Sequence, residues 1–80
     1  MARILVVEDD KDISSLIALA LKNAGYEVNA AYDGEMGADF LEKDSYDVVL
    51  LDIMLPNIDG YELFSYIKEY SIPVIYNRER

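Results

Sequence analysis

Among 80 residues, seven Lys and Arg stand against sixteen Asp and Glu, a formal net charge of −9, so no basic stripe is available to neutralise a row of phosphates and direct nucleic-acid binding is excluded. The chain has no Cys and no His, which excludes disulfides, thiolate metal sites and imidazole ligation and leaves a hard cation held by oxygen as the metal to expect. A hydrophobic fraction of 52% argues for a folded chain rather than a disordered one, of marginal stability because so short a chain buries only somewhat over ~60% of its unfolded surface.

Arg3 to Val7 is a short β-branched and aliphatic run, the pattern of a strand buried on both faces in a parallel sheet. It meets Glu8-Asp9-Asp10 at once, too short for a signal sequence or a membrane span, and a cytoplasmic protein is expected. Ile13, Leu16, Ile17, Ala20, Leu21 and Ala24 then recur at helical spacing, with Asp10 or Asp12 to cap the helix and Gly25 to stop it. Tyr26 to Ala31 reads as a second strand. Asp33-Gly34 is a turn into a weaker helix, with Gly34 and Gly37 near its start and Met36, Phe40 and Leu41 as core residues.

Tyr46 to Asp52 is the clearest buried strand, Val48 to Leu51 followed by an acid, and should be central. Ile53 to Gly60, with Pro56 and Asp59-Gly60, is a loop. Leu63, Phe64 and Ile67 mark one face of a third helix. Ile72 to Tyr76 reads as a fourth strand with Pro73 near its beginning, followed by the polar tail Asn77-Arg78-Glu79-Arg80. Strand alternating with helix over short links predicts right-handed crossovers in one α/β domain, a parallel sheet with helices on both faces.

Such sheets bind ligands beyond the carboxyl ends of their strands, and Glu8, Asp9 and Asp52 fall at such ends. If the first and third strands are neighbours, the three acids converge, and their repulsion is relieved by a proton or a bound cation. An all-oxygen donor set favours Mg²⁺, which takes one or two carboxylates, keeps waters and leaves room for a phosphoryl oxygen. A carboxylate beside Mg²⁺ is able to attack phosphorus, and Asp52, which ends the central strand beside a loop, is the chosen nucleophile. The plainer alternative is that these acids cap helices and solvate the end of the sheet.

Taken together, Ile4-Leu5-Val6-Val7-Glu8-Asp9-Asp10, Ala31-Tyr32-Asp33-Gly34, Asp47-Val48-Val49-Leu50-Leu51-Asp52-Ile53-Met54-Leu55-Pro56 with Asp59-Gly60, and Ile72-Pro73-Val74-Ile75 resemble the receiver domains of two-component response regulators. The resemblance runs from about Arg3 to Ile75. It implies a flavodoxin-like doubly wound sheet, βαβαβαβ with strand order 2-1-3-4, and a signalling module rather than an enzyme. It further implies Asp52 as phosphoacceptor, Glu8, Asp9, Asp52 and the backbone carbonyl of Met54 around Mg²⁺, and a sensor histidine kinase as phosphodonor. In the family that kinase docks on the first helix, whose exposed side is expected to include Ser14 and Ser15. The first-strand and Asp-Ile-Met-Leu-Pro motifs look most like those of regulators with a DNA-binding output domain.

The resemblance stops at the tail. Family members place a Thr or Ser at the end of the fourth strand, at or near Arg78 here, and a Lys at the end of a fifth strand, so residues 1–80 read as a partial receiver domain truncated after its fourth strand, with a divergent tail over 77–80. Lys43 and Lys68 lie too far along their helices to replace that Lys. An incomplete sheet would leave Ile72 to Tyr76 as an open edge, and self-association by edge pairing or exchange of elements is expected.

Two alternatives compete: a self-associating assembly module without phosphoryl chemistry, and a phosphatase or phosphotransferase with an aspartyl nucleophile. The second is weakened because the acid it would need two residues after Asp52 is Met54. Asp33 and Asp59 are read as turn or cap residues. Tyr26, Tyr46, Tyr66, Tyr70 and Tyr76 are read as packing residues with hydroxyls at the surface.

Overall fold

The computed structural model describes residues 2–52 and 60–77. Along them run β1 (Arg3–Val7), α1 (Lys11–Asn23), β2 (Glu27–Ala31), α2 (Gly34–Lys43), β3 (Val48–Asp52), α3 (Gly60–Glu69) and β4 (Val74–Asn77). All neighbouring strands pair in parallel, in the order β2-β1-β3-β4. This is the expected doubly wound topology, with β1 and β3 in the interior of the sheet.

Local chemistry sets the helix ends. The Asp10 carboxylate accepts from the backbone N–H of Asp12 at 2.9 Å and of Ile13 at 3.1 Å, satisfying two of the amide groups a helix leaves open at its start. At the other end Gly25 takes φ +96°, a conformation glycine adopts without a Cβ penalty. It brings its own N–H to the Lys22 carbonyl at 3.0 Å and that of Tyr26 to the Leu21 carbonyl at 3.1 Å, a Schellman closure. Asp33 caps α2 in the same way as Asp10, accepting from Met36 N–H at 2.8 Å.

The side chains divide by strand parity. Leu5, Val7, Val49 and Leu51 are fully buried against Ala38 and Leu41 of α2 and Leu63 and Ile67 of α3. A Cβ on Gly37 would stand 3.1 Å from Leu63 Cδ1 and 3.2 Å from Val7 Cγ2, so the absence of a side chain there lets α2 close on both β1 and α3. The opposite parity, Ile4 and Val6, is buried on the face that α1 crosses. On that face Val48 and Leu50 are only half-buried.

Several expectations need correction. The predicted stripe of α1 is out of phase: Ser14 is buried, Ile13, Ile17, Ala18 and Leu21 are half-buried, and Leu16, Ala20 and Ala24 are exposed. The apolar arc of α1 is wider than the one surface it meets, and the sheet takes the side centred on Ser14, Ile17 and Leu21. Met36 is at the surface, while Phe40 packs partly buried against the core.

Strand bounds also shift. Tyr26 precedes β2, Tyr46 and Asp47 precede β3, and Ile72 and Pro73 precede β4, which extends to Asn77. Pro73 nevertheless joins the ladder through its carbonyl, which accepts from Val49 N–H at 3.0 Å. Tyr46 is buried and donates its hydroxyl to Asn29 Oδ1 at 2.9 Å, so its hydroxyl is used inside the fold rather than at the surface. The loop over 53–59, with Pro56 and Asp59, the side chain of Phe64, and Arg78 to Arg80 lie outside the described residues.

Candidate functional site

The parallel register of β1 and β3 pairs Val6 with Leu50 and Val7 with Leu51. One step further along both strands come Glu8 and Asp52, on the parity of Ile4 and Val6, at the carboxyl end of the two interior strands. The chain turns immediately afterwards: Glu8 Oε2 accepts from Asp10 N–H at 3.0 Å, and Glu8 N–H donates to the Ala31 carbonyl of β2 at 3.0 Å. The Glu8 side chain is thereby held between the end of the sheet and the start of α1.

One carboxylate oxygen from each of Glu8, Asp9 and Asp52 lies within 4.8 Å of the others. Glu8 and Asp52 are 1% and 2% exposed, and Asp9 is half-buried. Ionised carboxylates are rarely interior unless paired or metal-bound. Their donors are all oxygen, without nitrogen or sulfur, and they meet where β1 gives way to a helix start. That donor set fits a hard divalent cation such as Mg²⁺ better than a transition metal. The Met54 carbonyl, expected as a further ligand, lies outside the described residues.

Three features around the cluster were not expected. Ser14, read as a kinase contact on the exposed side of α1, is 1% exposed and its Oγ has no hydrogen-bond partner among the described residues, whereas Ser15 is exposed. The alternative phase Ser14, Ile17, Ala18 and Leu21 was the signal that would have located it. Lys11, the first residue of α1, holds its ammonium 5.2 Å from the centre of the Tyr32 ring. Asn77 pairs with Asp52 across β3 and β4, so β4 reaches the same end of the sheet.

At the opposite end of the sheet the charges are already matched. Arg3 donates its N–H to Asp47 Oδ2 at 2.8 Å, its guanidinium meets Glu27 at 3.1 Å and Asp44 at 3.4 Å, and it lies 6.0 Å from the Tyr46 ring centre. Glu27 above all raises the guanidinium pKa further. Burial, reinforced by Asp44 and opposed by Arg3, raises the Tyr46 hydroxyl pKa. A shallow groove of about 570 Å³ opens here beside Tyr46, Tyr70 and Ile72, remote from the three acids.

Comparison with known proteins agrees with the fold and shows the family. The family described as the response regulator receiver domain matches residues 4–77. The regulatory protein VanRc of Enterococcus gallinarum is 40% identical over 74 residues, which is 91% of this chain and 32% of that protein. The structure of the response regulator TrrA of Thermotoga maritima, in complex with Mg²⁺ and BeF, is similar with TM-score 0.77 and 36% identity over 95% of this chain and 66% of that one. That of the chemotaxis protein CheY4 of Vibrio cholerae is similar with TM-score 0.84 and 30% identity over 95% and 67% of the respective chains. The chain thus spans about a third of VanRc and about two thirds of these two structures.

Proposed function

Because the chain belongs to the response regulator receiver domain family, we propose that it accepts a phosphoryl group on Asp52 in a Mg²⁺-dependent step, within a cytoplasmic two-component pathway. The observation that carries this reading is the convergence of Glu8, Asp9 and Asp52 within 4.8 Å at the carboxyl ends of the two interior strands. Glu8 and Asp9 hold the cation directly or through water, and the Met54 carbonyl is the expected further ligand. When bound, Mg²⁺ neutralises charge on the transferring phosphoryl oxygens. An Asp52 oxygen forms the new bond to phosphorus as the bond from phosphorus to the donor's leaving group breaks, giving an acyl phosphate.

The donor proposed is a sensor histidine kinase. Its docking surface is the exposed side of α1, where Ser15, Leu16 and Leu19 are exposed and from which Ser14 is removed by its burial. The TrrA complex with Mg²⁺ and BeF supports the same chemistry here by family membership. The test is intact mass after incubation with Mg²⁺ and acetyl phosphate, on the unaltered chain and on Asp52→Asn. A single added phosphoryl group on the first and none on the second is expected. An unmodified chain, under conditions that modify a complete receiver domain, overturns the reading.

A second reading is favoured by one observation. Leu16 and Leu19 on α1 and Ile75 and Tyr76 on β4 are more than half exposed, and among the described residues β4 is an outer strand of the sheet. Exposed apolar edges of this kind recruit further strands, and the partner proposed is a second copy of the chain. Sedimentation at increasing concentration should show mass above that of one chain, and a constant monomer mass rules this association out.

A further inference from the structure

We infer that Lys11, seated on the ring of Tyr32, sets the charge at the mouth of the acidic site, drawing in anionic phosphodonors while holding down the affinity for free Mg²⁺. The inference rests on the reading of Glu8, Asp9 and Asp52 as a metal and phosphoryl site. It concerns two residues that reading leaves unused.

The placement follows from the chain. Lys11 is two residues beyond Asp9 and opens α1, and Tyr32 is one residue beyond Ala31, whose carbonyl receives the Glu8 N–H. Both therefore stand at the sheet end where the carboxylates meet, on its β2 side. Arg3 makes its ion pairs with Glu27 and Asp44 at the other end of the sheet. Lys11 has Asp10 and Asp12 as sequence neighbours, but Asp10 is committed to capping α1, and the ammonium lies 5.2 Å from the Tyr32 ring centre. Asp33, beside Tyr32, is likewise occupied with Met36 N–H.

A cation over an aromatic face keeps its full charge while its direction is restricted. A lysine free in solvent would spread its field over many rotamers, whereas this one concentrates it on one flank of the cluster. In a chain of net charge −9, a dianionic donor approaches against the general field, and a fixed positive charge beside the site lowers that barrier. The same charge repels a divalent cation. Lys11 thus acts in opposite directions on the two partners of the reaction, which a purely structural contact would not do.

The test measures both directions on the unaltered chain, Lys11→Gln, Lys11→Arg, Tyr32→Phe and Tyr32→Leu. Mg²⁺ affinity is read by titration of tyrosine fluorescence or by calorimetry. Phosphoryl uptake is read by intact mass at saturating Mg²⁺, with acetyl phosphate at low and high salt. Lys11→Gln should bind Mg²⁺ about threefold more tightly and take up phosphoryl about threefold more slowly at low salt, with the rate difference shrinking as salt is raised. Lys11→Arg and Tyr32→Phe should behave as the unaltered chain, and Tyr32→Leu should move part of the way towards Lys11→Gln.

Should Lys11→Gln match the unaltered chain in both measurements, or change both in the same direction, the inference is overturned while the metal site stands. Should the unaltered chain bind Mg²⁺ but take up no phosphoryl, the affinity change alone decides for or against the charge of Lys11. Absence of Mg²⁺ binding by the unaltered chain overturns the site and the role of Lys11 together.

Discussion

The two ends of the sheet use the same kind of side chain for different ends. At the amino ends of the strands, Glu27 and Asp44 surround the guanidinium of Arg3, and Asp47 binds its backbone N–H. These acids are exposed, matched to a cation of the chain itself, and serve to close the edge of the fold. At the carboxyl ends Glu8 and Asp52 are interior and converge with Asp9. The acids of the amino end pair with a neighbouring arginine at the surface, whereas the three at the carboxyl end converge in the interior, the arrangement on which the proposed metal site rests. Burial and mutual distance, rather than residue type, separate the two groups of acids.

The largest effects should come from removing charge at the carboxyl end. Glu8→Gln is expected to weaken Mg²⁺ binding about tenfold, since affinity at such sites follows the count of charged ligands, and calorimetric titration measures it. Equal affinity in the variant would erase the distinction between the two ends. Next comes the ligand itself: Mg²⁺ at a hundredfold excess over its Kd should stabilise the fold by about 2.7 kcal/mol. At the same Mg²⁺ concentration the gain, read in urea titrations, should fall to about 1.4 kcal/mol in Glu8→Gln and persist in full in Arg3→Gln.

Smaller effects belong to the amino end. Tyr46→Phe removes the bond to Asn29 Oδ1 and should cost about 1 kcal/mol in urea unfolding, leaving Mg²⁺ affinity unchanged. Burial raises the pKa of this hydroxyl in the folded state, so its protonated form is the one the fold favours. Its contribution is therefore complete below the ordinary value of 10.0 and lost as pH rises through the higher folded value. Alkaline titration followed by circular dichroism should find a steeper loss above pH 10 in the unaltered chain than in Tyr46→Phe. Smallest is Arg3→Gln, whose exposed pairs are screened by solvent and salt, so the melting temperature should barely move.

Much of this was legible in the residues. Buried strands announce themselves by runs such as Val48 to Leu51, and the position of Glu8, Asp9 and Asp52 at strand ends followed from the alternation of strand and helix. What was not legible depends on which surface an element meets. In α1 the apolar residues cover so wide an arc that spacing alone does not say which side faces the sheet, and Ser14 and Leu16 exchanged places between prediction and structure. The Lys11–Tyr32 contact joins two elements across 21 positions of sequence, which no periodicity encodes. Tyr46, just before β3, likewise found its hydroxyl partner on β2.

The strand order has a consequence for how the protein is born. Asp9 and Asp52 are separated by 43 positions, and β1 gains its second neighbour only when β3 is available, although β2 follows it closely. At a translation rate of roughly 5–20 residues per second, the first two strands and α1 leave the ribosome seconds before Asp52 does. During that interval the nascent chain carries Glu8 and Asp9 without the third acid. The convergence of the three acids comes into being with the docking of the central strand, together with the native topology.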